Sequence, residues 1–152
     1  MSHSTVSETV RMDILSEMLT QVPFEGWTDK TLRAAVSALD LPKGAEGLYF
    51  PGGVLEVIQF WSESCDALAE AKIKTFNLDE MRVRDKITEA VWQRLDAIKP
   101  HDLAGQRALA RLALPDAMLK AAGGQANVLL WETAHMIWRA IGDLENNVLV
   151  LF

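Results

Sequence analysis

A single cysteine in 152 residues, Cys65, rules out an internal disulfide and any zinc site built from cysteines, and its place on an apolar helical stripe with Trp61 and Leu68 assigns it to the core. No apolar run approaches the ~20 residues that span a bilayer, so no segment is expected to cross a membrane. The sequence contains no Gly-x-Ser-x-Gly, no His-Glu-x-x-His and no phosphate-cradling Gly-Lys-Ser/Thr loop, which leaves the common hydrolase, zinc-protease and nucleotide-binding chemistries without a candidate. Met1–Val10 has neither an apolar signal core nor an arginine-rich amphipathic stretch, so neither export nor mitochondrial import is written there and a bacterial cytoplasm is the expected compartment. The net charge of −6 argues against a nucleic-acid backbone as the main partner, because such binding depends on lysines and arginines that displace counterions.

What the chain does have is apolar helix. Hydrophobic residues make up 49% of it, enough with 152 residues to build one cored domain. The stretch Gln125–Gly142 is apolar on nearly every side: Leu130, Trp131, Ala134, Ile137, Trp138 and Ile141 form one broad face, and Leu129, Met136 and Ala140 widen it. Only Glu132, His135 and Arg139 make a polar strip. Such a helix has to be covered by neighbours or by another apolar body, so Trp131 and Trp138 are either core or pocket lining.

The rest of the chain divides at Pro and Gly into further helices. Val6–Gln21 carries an apolar stripe through Val10, Ile14 and Met18, with Leu15 and Leu19 beside it, and Val22-Pro23 is expected to end it. Thr28 is an N-cap for a second helix that buries Leu32, Ala35, Val36 and Leu39 and stops by Leu41-Pro42. Lys43–Tyr49 forms a turn or two of helix closed by Phe50–Gly53. A long helix follows from Val54 to about Thr75, buried along Val54, Val57, Ile58, Trp61, Cys65 and Leu68. Asn77 or Asp79 can cap the next one, which runs to Ile98 with Ile87, Val91, Leu95 and Ile98 inside and Arg82, Arg84, Lys86 and Arg94 largely outside. His101–Leu114 is amphipathic through Leu103, Arg107, Ala108, Leu112 and the final Leu114-Pro115, and Asp116–Ala122 is a short helix before Gly123-Gly124. No run alternates with period two, so the chain reads as all-α, with a unit at 1–53 followed by a helical domain at 54–152.

Three short helices at the N-terminus, the last two joined by a tight turn, have the pattern of a helix-turn-helix unit. Residues 1–53 nevertheless carry four basic groups against seven acidic ones. The would-be reading segment Lys43–Gly53 offers one lysine and no Arg, Asn or Gln for base edges. Sequence-specific DNA binding is therefore not expected, although a transcriptional regulator sensing a small apolar ligand is the alternative that this pattern keeps in play.

Glu132 and His135 lie three apart, half the ligand set of a di-iron helical bundle. A second pair is missing and both residues sit on the polar strip, so a solvated face is the better reading and no metal site is expected; a metal held at Glu132 and His135 would be the sign of an unrecognised enzyme. Arg82, Arg84 and Lys86 are interleaved with Asp79, Glu80 and Asp85, as on a wet helix surface.

Five motifs occur in an order and spacing that resemble the Coq-nine family, the lipid-binding accessory proteins of ubiquinone (coenzyme Q) biosynthesis: Val22–Thr28 (VPFEGWT), Tyr49–Gly53 (YFPGG), Gln93-Arg94-Leu95, Arg107–Pro115 (RALARLALP) and Ile137–Asp143 (IWRAIGD). The resemblance covers roughly Ile14–Asp143. It implies a fold similar to TetR-family regulators, with an N-terminal three-helix unit that has lost DNA binding and a helical bundle that holds an apolar lipid and pairs two subunits. It also implies that the protein is not itself an enzyme and needs no cofactor, but presents isoprenoid-quinone precursors to the demethoxyubiquinone hydroxylase, in the cytoplasm or peripheral to the inner membrane.

On that reading Trp61, Leu68, Val91, Trp92, Leu95, Leu114, Trp131, Ala134 and Trp138 are the candidate lipid-contacting residues, because large stiff side chains shape an apolar cavity without supplying groups that demand water. Ile137, Gly142 and Asp143 are the candidate partner-binding residues. Trp27, beside the Thr28 cap, is a packing residue. After Asp143 the sequence departs from the family: the hydroxylase-docking segment is absent, and Leu144–Val148 resembles a helix that comes later, so residues are expected to be missing between Asp143 and Leu144.

Overall fold

The computed structural model describes residues 2–114 and 125–141, with side chains from residue 5 to 114 and from 132 to 141, and all regular structure among them is helical. The elements are α1 (Ser2–Glu25), α2 (Asp29–Ala38), α3 (Ala45–Tyr49), α4 (Val54–Ile73), α5 (Val83–Ile98), α6 (Asp102–Leu112) and α7 (Gln125–Ala140), with single 3-10 turns at Leu78–Glu80 and Lys99–His101. This is the all-α fold that the hydrophobic periodicity predicts. The expected helix at Asp116–Ala122 lies outside the described residues, as does the junction of Asp143 with Leu144.

The chain divides into two units. The first comprises Met1–Trp61 with His101–Ala122, and the second Ser62–Pro100 with Gly123–Phe152, so α4 gives its opening residues to one and the remainder to the other.

In the first unit α1 packs on α2, α3 and α6. Ile14, Leu15, Met18 and Val22 are buried, as the stripe on α1 requires. Pro23 does not end that helix, which continues to Glu25. A proline this close to a C-terminus removes one rung of the ladder, and the amide of Gly26, at a φ of +78° that glycine adopts without strain, closes the last turn on the Val22 carbonyl at 2.8 Å.

Thr28 starts α2 as expected: its hydroxyl accepts from the Thr31 amide at 3.1 Å. The same hydroxyl lies 2.9 Å from that of Thr31, which donates onward to the Gly26 carbonyl, so the cap is tied to the end of α1. Thr28→Ala is expected to cost about 0.5–2 kcal/mol. Thr28→Ser should stay close to wild type, and urea unfolding of the two variants checks the difference.

Asp29, in the first turn of α2, also caps α4 by accepting from the Val54 amide at 3.0 Å. That carboxylate occupies the space a side chain at Gly53 would need, where φ is +73° and an added Cβ would lie 2.9 Å from Asp29 Oδ1. Trp27 is buried, its indole N–H donating to the Ala104 carbonyl of α6 at 2.9 Å, while its ring tilts against Trp61 with centroids 5.5 Å apart. A tryptophan inside a core usually finds such a polar partner, and this one joins residues far apart in sequence.

The second unit has its own core: Ala69 and Ile73 of α4, Ala90 of α5, and Met136, Ala140 and Ile141 at the end of α7, with Leu78, Ile87, Ile137 and Trp138 packed partly buried against them. Two expectations change here. The buried line of α4 runs through Trp61, Cys65, Ala69 and Ile73 at successive i+4 steps, which turns Leu68 outward at 64% exposure. On α5 the inward positions are Ala90 and Arg94, with Ile87 and Ile98 half-buried, while Val91 and Leu95 are exposed. The cap of α5 also differs: the helix starts at Val83, so neither Asn77 nor Asp79 caps it, and Arg82 at the N-cap position makes no side-chain bond to it.

Candidate functional site

The chemistry-bearing residues that the fold brings together in the second unit come from three helices. Arg94 of α5 reaches α4, where its Nε donates to Asp66 Oδ1 at 2.5 Å and its Nη2 to Ser62 Oγ at 3.1 Å and to the Ser62 carbonyl at 3.4 Å. Thr133 of α7 donates to the same Asp66 oxygen at 2.8 Å. Both charged side chains are only 12% exposed, so the pair is poorly hydrated and is held by its hydrogen bonds as well as by Coulomb attraction. Asp66 is thus the hub joining α4, α5 and α7. Sequence reading placed Arg94 on the wet side of its helix; the signal that could have found it is its position one turn beyond Ala90 on an otherwise apolar arc.

Cys65 stands next to this pair and is buried, as the sequence reading assigns it; its thiol faces the Ala97 carbonyl at 3.9 Å. Burial pushes the thiol pKa up, Arg94 opposes the shift and Asp66 reinforces it. The folded protein therefore holds a proton that the unfolded chain releases as the pH passes the ordinary thiol value of 9.0, so this group withdraws stability on the alkaline side and not at neutral pH. Iodoacetamide is expected to leave Cys65 untouched at neutral pH until denaturant is added. Above pH 9 the melting temperature of the wild type should fall faster than that of Cys65→Ala.

A second ion pair lies farther along α4 and α7. Arg139 donates to Glu70 at 3.0 Å and 3.2 Å, and Lys74 approaches the same carboxylate at 3.3 Å. The hydrogen bond from Arg139 is the main cause that lowers the Glu70 pKa. Arg139 is 53% exposed, so solvent screens the pair and its contribution to stability is small.

The expected lipid-contacting residues fall in different settings. Trp61 is buried in the first unit against Trp27. Leu68, Val91, Trp92 and Leu95 are exposed in the second, Trp92 at 58%, and Leu114 is exposed in the first. Ala134 is half-buried, and Trp138 and Ile137 pack on the second core. The side chain of Trp131, and Gly142 and Asp143, lie outside the described residues. The structure thus brings Ile137 and Trp138 together and leaves Val91, Trp92 and Leu95 as an apolar strip on the outer side of α5.

Among the described residues no group of three or more His, Cys, Asp or Glu is placed to hold a metal ion, and Glu132 and His135 are both exposed. No described helix is long and apolar enough to cross a membrane.

Comparison with known proteins finds similarity to the ubiquinone biosynthesis protein COQ9, mitochondrial, of Drosophila melanogaster, with 28% identity over 112 residues, or 71% of the chain. The chain spans about a third of that relative's length, 34%. No protein-family model matches the chain.

Proposed function

We propose, from the membership of the COQ9 family that this similarity supports, that the protein is a non-catalytic lipid-binding accessory factor of ubiquinone biosynthesis. It holds an isoprenoid-quinone precursor and presents it to the demethoxyubiquinone hydroxylase, acting as a homodimer in the bacterial cytoplasm or at the periphery of the inner membrane. The observation that carries this reading is the similarity to COQ9 over 112 residues, in agreement with the five sequence motifs. The exposed strip of Val91, Trp92 and Leu95 fits it as well, since neighbouring apolar side chains left in water favour coverage by an apolar guest or partner. The regulator alternative is less favoured, because α3 offers Glu46 and Leu48 where a DNA-reading helix offers Arg, Asn or Gln.

Deleting the gene in its source organism and profiling its quinones tests the proposal. The hydroxylase substrate, demethoxyubiquinone, is expected to accumulate while ubiquinone falls, and the full-length protein should restore the pool. An unchanged quinone profile would reject the role.

A further inference from the structure

Arg94 has hydrogen-bonding capacity that the described residues do not use. A guanidinium carries five N–H donors and no acceptor. The edge formed by Nε and Nη2 is engaged with Asp66 and Ser62, but Nη1, at the opposite edge of the same plane, is buried and has no hydrogen-bond partner among the described residues. A buried donor without an acceptor is costly, so native proteins give such groups a partner in protein, ordered water or ligand. This one lies within the second unit, against whose core the half-buried Trp138 packs.

We infer that Arg94 Nη1 is the receptor for a neutral oxygen acceptor, such as a quinone carbonyl or a ring ether oxygen, on the head of the apolar guest. The inference rests on the lipid-binding reading and narrows it. Charge balance selects the neutral class: Asp66 already compensates the guanidinium, so a carboxylate or phosphate head would bring a second, uncompensated negative charge into a poorly hydrated site. A neutral carbonyl takes up the idle N–H and leaves the ion pair intact. The acceptor has to enter the unit to reach a buried nitrogen, which suits a head attached to an apolar tail.

The test uses the full-length protein with three probes that share a decyl chain: a decyl-substituted benzoquinone, decane and decanoate. Intrinsic tryptophan fluorescence or calorimetry reads their affinities. The quinone is expected to bind about tenfold more tightly than decane, as one hydrogen bond to a charged donor allows. Arg94→Lys keeps the positive charge beside Asp66 and removes Nη1; it should abolish that advantage while leaving decane binding unchanged. Should the variant fail to fold, wild-type protein labelled with nitrogen-15 in arginine supplies an independent measurement, in which quinone, and not decane, shifts the Arg94 side-chain resonances. Quinone and decane binding that ignores Arg94, or a resonance that does not respond, overturns the receptor and leaves lipid binding standing. Tighter binding of decanoate than of quinone overturns the neutral-head assignment. Binding of neither quinone nor decane overturns both the receptor and the reading on which it rests.

Discussion

Trp27→Ala is expected to destabilise the protein by about 3–5 kcal/mol, the range for truncating a large buried aromatic side chain. Three losses coincide at this position. The side chain is 2% exposed, so its removal leaves a cavity in the first unit. The Ala104 carbonyl, which also takes part in the α6 ladder, loses the indole N–H bond of 2.9 Å that ties Trp27 to that helix, and the Trp61 ring loses its aromatic neighbour. Against a total stability of about 5–15 kcal/mol for an ordinary domain, this approaches global unfolding. Trp27→Phe keeps a ring but not the donor and should lose about 1–3 kcal/mol, for the missing hydrogen bond and the smaller ring. Denaturant unfolding followed by circular dichroism separates the two variants, and a change below the phenylalanine range for Trp27→Ala would mean that this packing is not what holds α6 to the unit.

Asp66→Ala is expected to have an effect of similar size, about 3–5 kcal/mol, for an electrostatic reason. It strands the Arg94 guanidinium, 12% exposed, without its counterion, and frees the Thr133 hydroxyl that joins α7 to the same oxygen. Replacing both charges, as Asp66→Leu with Arg94→Met, should recover most of that loss, because it also removes the desolvation penalty of the pair. A double-mutant cycle on unfolding free energies gives the coupling directly. A single-variant loss within about 1 kcal/mol would place the pair in the class of screened surface ion pairs instead.

Much of the fold was legible because it is written locally. Thr28 before Asp29, Gly-Gly before Val54 and Lys99-Pro100 after Ile98 mark element ends through backbone chemistry that needs no tertiary context. The rotation of α5 was not legible. Ile87, Ala90, Val91, Arg94, Leu95 and Ile98 span a wide arc, and periodicity alone favours turning the largest apolar groups inward. The partner of Arg94 lies on another helix, 28 residues away, and the bond between them brings the Ala90 and Arg94 side of α5 toward α4. Leu68 illustrates the same limit: it belongs to an apolar stripe in sequence, yet the small Ala69 is the residue taken into the second core. Trp27 read correctly as a packing residue, while its hydrogen bond to Ala104 could not be read, since nothing local relates those two positions.

The most direct check of the lipid-binding role is the mass of what the protein carries. Full-length protein purified from cells that make ubiquinone, extracted with organic solvent and analysed by mass spectrometry, is expected to release an isoprenoid quinone or its precursor in amounts comparable to the protein. An extract holding no isoprenoid lipid above that of an unrelated protein purified in the same way would contradict it.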